Sequence, residues 1–177
     1  RFIILGTITA SGAITPVSMA DNGETGGNRI AIVEGTASGF QINMATYVFS
    51  PIVDGTGLFT GADVVRYLAG FFMFNTIPNS QNWIISQFNS LTFDPLDIAA
   101  KSSYPDNVAW LEPRQREVWL LGAIQSTEPW TLSGAADFPF EAIPATYVPN
   151  GLLAKYSVVN ADNSLFWITR NAEGKAI

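Results

Sequence analysis

The chain has 177 residues, room for one domain with a sizeable core. Hydrophobic residues make up 47% and charged residues only 14%, below the roughly 25% of an ordinary soluble domain, so much of the surface is expected to meet other protein. The net charge is −6, the nine lysines and arginines are scattered singly apart from Arg114 and Arg116, and histidine and cysteine are absent. This composition excludes a basic nucleic-acid stripe, a disulfide framework, thiolate metal sites and a cysteine nucleophile. An acidic wall is still compatible with a passage along which DNA slides without sticking. No segment approaches the roughly 18 apolar residues of a membrane-spanning helix.

Gly and Pro punctuate the chain, and β-branched and aromatic residues fill the intervals, so strands are predicted throughout. Arg1 followed by the apolar run Phe2–Leu5 has the outline of a secretory signal. Gly6, Thr7 and Thr9 interrupt that run, and Phe2–Thr9 reads better as the outer strand of a preceding unit. The first complete unit is expected at Val17–Ala20, Arg29–Val33, Gly39–Asn43 and Tyr47–Val53, with the glycine-rich turn Asp21–Asn28 after its innermost strand. The second is expected at Val64–Leu68, Phe71–Asn75, Trp83–Ser86 and Ser90–Phe93. Asp94 before Pro95 is a helix-start signal, which predicts a short helix over Pro95–Lys101, then a turn at Ser102–Asp106. The third unit is expected at Asn107–Leu111, Glu117–Leu121, Glu128–Leu132 and Phe138–Ile143. A fourth begins with Lys155–Asn160 and Ser164–Ile168 and stops near Lys175–Ile177.

A repeat underlies this division. Phe72–Met73–Phe74, Trp119–Leu120–Leu121 and Phe166–Trp167–Ile168 stand 47 residues apart. Trp83 and Trp130 share that spacing, as do Phe93 and Phe140, so these residues are expected at equivalent core positions. Phe49–Ile52, Phe93–Leu96 and Phe140–Ile143 are a second repeated segment. Periods of about 40–50 residues with several strands each mark a β-propeller, whose blades bury their faces only by stacking. The expected fold is all-β: a β-propeller of four-stranded antiparallel blades, about 44–47 residues each. Residues 1–177 then form one propeller domain or part of one, three complete blades with partial blades at both ends. The missing initiator Met and an end inside a repeat suggest a fragment. Pairing of Phe2–Thr9 with the fourth unit would instead close a small four-bladed ring.

Sites of chemistry are sparse. Asp54, Asp63, Asp94 and Asp97 are the carboxylates that a glycosidase pair would need, but Asp54 before Gly55 and Asp94 before Pro95 fit turns and caps better. Asp21–Asn28 has oxygen ligands without the alternation of a calcium loop and reads as a hairpin turn. Without histidine, only a Ser–Lys pair could activate a hydroxyl, and Lys101, Lys155 and Lys175 lack motif context. Gly35–Gly39 lacks the lysine and spacing of a phosphate loop. Five tryptophans could form a sugar or base platform. Those on the repeat are expected in the core; Trp110, matched by Asp63 one unit earlier, is expected to be the exposed one. Arg114 and Arg116 are placed to pair with Glu117 and Glu128 across strands. No catalytic, cofactor-binding or metal residue is assigned.

The stretch Asn82–Val159 resembles the packaged-DNA stabilisation proteins, or tail accessory factors, of short-tailed bacteriophages. Its most specific block holds Arg116, Glu117, Val118, Trp119, Gly122, Thr127, Glu128, Trp130, Gly134, Phe138, Pro139 and Phe140 in the family's order. Ser18–Gly23 and Asn163–Ile177 look like further family segments. The family's Asp-Gly-Thr-x-Trp-Asp type of segment is here Asn89–Asp94. The resemblance implies a non-enzymatic virion tail component that plugs or stabilises the portal channel and retains the packaged DNA. It also implies contacts with the portal-adaptor ring and the tail needle, a homo-oligomeric ring of six copies, no sequence-specific grip on passing DNA, no membrane and no cofactor. Assembly would take place in the host cytoplasm. The competing reading is a carbohydrate-binding or glycoside-hydrolase-like propeller. A generic WD or kelch propeller is disfavoured, because the signature dipeptides are missing.

Overall fold

Tight turns break the chain into short strands, and their positions follow local backbone chemistry. Ala69 and Gly70, and likewise Asp162 and Asn163, take positive φ, the geometry of two-residue hairpin turns whose twist matches that of the strands. A computed structural model describes residues 2–8, 16–25 and 27–169. The first sheet contains β1 (Ser18–Asp21), β2 (Arg29–Val33), β3 (Gly39–Asn43) and β4 (Val48–Pro51). The second contains β5 (Val65–Leu68), β6 (Phe71–Asn75), β7 (Asn82–Ile85) and β8 (Ile98–Ala100). The third contains β9 (Val108–Arg114), β10 (Glu117–Gly122), β11 (Thr127–Leu132) and β12 (Phe140–Ala142). A fourth unit shows β13 (Val159–Ala161) and β14 (Ser164–Phe166).

Each four-stranded sheet is an antiparallel meander in chain order. The first strands of successive sheets are neighbours, β1 beside β5 and β5 beside β9, so the sheets stand side by side about their inner strands as propeller blades do. No helix occurs among the described residues. The all-β, four-stranded-blade expectation therefore holds. The blades do not close into a ring among the described residues.

Both faces of the second blade are apolar, because β6 is a continuous run of Phe71, Phe72, Met73 and Phe74. Phe72, Phe74, Val65 and Ile84 pack with Ala31 and Val33 of the first blade. Met73, Trp83 and Ile85 join Leu111, Val118, Leu120 and Trp130 of the third. Trp83 is fully buried, with its ring centroid 5.4 Å from Trp130, 5.1 Å from Phe138 and 5.6 Å from Phe140, all edge to face. At the junction of the first two blades, Thr36 and Ala62 form a bridge. Gly61 allows that close approach: its φ is +98°, and a Cβ there would overlap the Thr36 carbonyl.

Four expectations need correction. Trp83 and Trp130 are both buried on third strands, but they are not equivalent. Trp83 pairs with Asn75, and Trp130 with Val118. Trp83 leaves the second blade toward the third, while Trp130 leaves the third toward the second, and the two meet. Phe72 likewise faces the first blade, whereas Trp119 lies on the third blade's face opposite Trp130. Side-chain alternation is continuous only within a strand, and the loops between strands and the register shift between Leu121 and Gly122 break it, so a fixed sequence spacing does not fix the face.

The second blade's outer strand is Ile98–Ala100 rather than Ser90–Phe93. Gln87 N–H bonds the Thr92 carbonyl at 2.8 Å and makes Ser90–Thr92 a turn, from which Leu91 and Phe93 plug the core. Phe93 is thus no counterpart of Phe140, which lies in β12. The helix over Pro95–Lys101 is absent. Asp94 does accept Leu96 N–H at 3.0 Å, but pairing of Ile84 with Ile98 claims the backbone for a strand. Finally, residues 2–8 form neither the outer strand of another unit nor a partner of β14. Gly6 lies against the Phe49 ring, and Ile3 and Leu5 flank Met44 and Tyr47; Thr9 lies outside the described residues.

Trp83→Ala should lower the unfolding free energy by about 3–5 kcal/mol, the range for deleting a buried large aromatic. Phe88→Ala, at a 64% exposed position, should cost under about 1.5 kcal/mol. Urea denaturation followed by tryptophan fluorescence reads both; equal losses would contradict the interblade assignment.

Candidate functional site

The inner strands carry a continuous set of polar ties. Ser18 Oγ of β1 accepts from Val65 N at 3.1 Å and from Arg66 Nη1 at 3.2 Å. Arg66 of β5 also donates from Nη1 to the Val65 carbonyl at 2.8 Å, and from Nε to Glu112 Oε2 at 3.3 Å. Its guanidinium carbon sits 4.5 Å from the centroid of Trp110, a cation–π contact. Trp110 of β9 donates from Nε1 to the same Glu112 oxygen at 3.1 Å and meets Tyr156 of the fourth unit edge to face at 5.8 Å. Lys155 pairs with Asp63, which also accepts from the Asn75 amide. Burial, with Asp63 second, raises the Tyr156 pKa. Pro16, Val17, Met19, Arg66, Trp110 and Tyr156 border a cleft of about 320 Å³ at this face. Both cations are neutralised by carboxylates, so the face is aromatic and near-neutral rather than a phosphate grip.

A second polar cluster sits between the second and third blades. Lys101 follows β8 and is fully buried; its Nζ meets Ser126 Oγ and donates to the Tyr104 carbonyl at 3.3 Å. Asp106 accepts from the N–H groups of Ile124 (3.0 Å), Gln125 (2.9 Å) and Ser126 (3.2 Å), so its carboxylate closes the β10–β11 turn. Gly122 makes room for it, since a Cβ there would overlap Asp106. Glu128 is fully buried and accepts from Ser103 N at 2.8 Å and Trp130 Nε1 at 2.8 Å. Burial pulls the Lys101 pKa down, while Asp106 and Glu128 pull it back up. Ser126 beside a lysine of lowered pKa is the chemistry of a Ser–Lys hydrolase, but the hydroxyl is 1% exposed and no substrate reaches it. The cluster instead locks the end of one blade into the hairpin of the next.

The other candidates resolve in the same structural direction. Asp54 accepts from Thr56 N at 2.8 Å and Phe59 N at 2.8 Å. Burial opposes its ionisation, but these bonds outweigh it and hold its pKa below the usual range. Asp94 caps its own turn. Asp97 is buried; Gln87 Nε2 at 2.6 Å and Asp94 N at 2.8 Å occupy it, and burial raises its pKa. Asp97, pushed toward the acid form, is therefore sealed from solvent. Asp21–Asn28 links β1 to β2, with Asn22 Oδ1 accepting Arg29 N–H at 2.7 Å.

Trp110 is 8% exposed, contrary to the expectation of an exposed ring, because Arg66 and Tyr156 cover it. Trp119 and Trp167 also pack against the core, so the tryptophans form no platform. The pairs expected from Arg114 and Arg116 to Glu117 and Glu128 do not form among the described residues. Arg114 donates to the Asn163 carbonyl, Glu117 accepts from Trp119 Nε1 at 3.0 Å, and Glu128 is committed to Ser103 and Trp130. The axial residues Ser18, Arg66 and Glu112 escaped the sequence reading. Their separations, 48 residues for Ser18–Arg66 and 46 for Arg66–Glu112, were the signal available: one repeat per inner-strand contact.

Comparison with known proteins agrees with this architecture. The model of a family described as bacteriophage P22 Gp10, β-propeller, matches residues 5–176. The crystal structure of the computationally designed Ika4 protein is similar in fold, with a TM-score of 0.55 at 8% identity, covering 100% of this chain and 97% of that one. No curated relative matches the chain.

A double-mutant cycle on Arg66→Ala and Glu112→Ala should give a coupling of about 0.5–3 kcal/mol, as for contacting charges in one network; strict additivity would show that the axial tie is ornamental. Lys101 predicts a pH effect. Its folded pKa lies below the ordinary 10.5, so the unfolded chain binds the proton more tightly through that window and stability due to Lys101 rises with pH. Relative to Lys101→Met, the native chain should gain stability as pH climbs toward 10.5, and lose that gain as pH falls through the lowered value. Parallel pH–stability curves for the two proteins would refute the assignment.

Proposed function

Because this chain belongs to the bacteriophage P22 Gp10 β-propeller family, we propose that it serves in the tail of a short-tailed phage, where it plugs or stabilises the portal channel and retains the packaged DNA. In this reading it connects the portal-adaptor ring to the tail needle, as one of six copies in a ring assembled in the host cytoplasm. The family is one of structural phage proteins rather than enzymes, and the chain acts by assembly without catalysis or cofactor. The family match over nearly the whole chain carries the reading.

Surface chemistry supports it. Phe2, Ile3, Ile4, Tyr47 and Val48 are exposed beside the first blade, and Val159, Phe166 and Ile168 on the fourth unit. Apolar side chains with few charges suit lasting protein contacts. A net charge of −6 repels DNA, so a channel wall of this kind holds the genome by blocking its exit and does not retard ejection by adhesion. No described helix is long and apolar enough to cross a membrane. The carboxylates a glycosidase would use are spent on turns and an ion pair, and no observation favours the carbohydrate reading.

The purified chain, mixed with adaptor-bound portal rings and viewed by negative-stain microscopy, should add density on the tail axis below the adaptor. Bare rings at saturating protein, with binding to no other tail component, would overturn the proposal.

A further inference from the structure

The groove between the first and second blades opens outward into a cleft of about 370 Å³. Arg29, Gln41 and Ser50 line it from the first blade, and Ser90 and Thr92 from the turn of the second. Strand pairing explains the grouping: Gln41 pairs with Ser50 and Ala31, and Arg29 lies two residues before Ala31 on the same face. Arg29 Nη1 donates to Gln41 Oε1 at 2.6 Å. That bond holds the half-buried guanidinium in place and leaves the Gln41 amide group as a donor.

No described carboxylate bonds this guanidinium. Arg66 and Lys155 each have a carboxylate partner, whereas Arg29 makes no ion pair among the described residues. No acidic residue lines this cleft among the described residues. Arg29 also borders a neighbouring cleft together with Asp21 and Glu24, but it forms no ion pair with either. The cleft thus offers a fixed guanidinium, an amide donor, the Ser50 hydroxyl and one free proton of the mutually bonded Ser90 and Thr92 hydroxyls, which is a site for an anion. DNA is a poor fit, since backbone binding needs several cations together. Beside the cleft, β4 ends the first sheet, with one edge unpaired by any strand among the described residues, so an extended segment can run along it.

We propose that this cleft receives the carboxylate of an aspartate or glutamate carried on an extended segment of a partner tail protein. The partner's place in the tail rests on the function proposed above; the chemistry of the cleft does not.

The test uses the isotopically labelled chain and three probes: an acetylated pentapeptide with two central glutamates, its glutamine analogue, and inorganic phosphate. The glutamate peptide should shift the amide signals of Gln41, Ser50, Ser90 and Thr92 saturably. The glutamine analogue and phosphate should bind at least about tenfold more weakly, and Arg29→Gln should lower affinity for the glutamate peptide by a similar factor. Unchanged indole signals of Trp83 and Trp130 certify the fold of the variant. If Arg29→Gln does not fold, Arg29→Lys replaces it, with the same loss expected because lysine lacks the bidentate fork. Shifts confined to other surfaces, equal response to the glutamine peptide or phosphate, or undiminished binding by the variant would overturn the proposal. Selective peptide binding alongside bare portal rings would leave the cleft assigned and remove the tail reading; decorated rings with no peptide response would do the reverse.

Discussion

The structure depends on sheets that are apolar on both faces. A strand such as β6, with Phe72 and Phe74 on one side and Met73 on the other, cannot satisfy both sides within its own blade. Burial of large aromatic groups is the dominant favourable term available to it. The second blade is therefore held between two neighbours, and Trp83 against Trp130, Phe138 and Phe140 is the densest part of one interface. The placement of the inner strands β1, β5 and β9 beside one another follows from that stacking.

Charged and polar groups are arranged to suit it. Arg66 links β1, β5 and β9 through Ser18, Val65 and Glu112. Lys101, Asp106 and Glu128 occupy the seam between the second and third blades. Buried charges are costly to desolvate, and here each has hydrogen-bonding partners that offset part of that cost. Their value lies in direction: an apolar face tolerates sliding, whereas Asp106 over three consecutive N–H groups fits one position only. Groups that resemble catalytic machinery, Ser126 beside Lys101 above all, are the same kind of fixture. Arg29, bonded to Gln41, instead lines the cleft proposed above for a partner's carboxylate.

Strand content was highly legible in the sequence. Arg29–Val33, Gly39–Asn43 and Phe71–Asn75 were placed with their observed ends, since alternation, β-branching and flanking turn residues agree there. The loop from β7 to β8 was misread, because Asp94–Pro95 is a valid helix start whose continuation is overruled by pairing with Ile84. Phase was also lost. The 47-residue match of Trp83 with Trp130 joins residues from opposite faces. Trp83 and Trp130 meet each other in one interface, so chemical likeness alone does not establish equivalence. Trp110 was misplaced for a related reason: its cover comes from Arg66 and Tyr156, far away in the chain.

Local pattern by itself determined that this is a β protein of repeated four-stranded units, with little charge for its size and no histidine or cysteine chemistry, because composition and period-two alternation are properties of short stretches. Only the tertiary structure decided which face of each sheet meets which neighbour and which charged groups tie one blade to the next. Those outcomes depend on residues one repeat or more apart being brought within a few ångströms, and no local pattern encodes that distance.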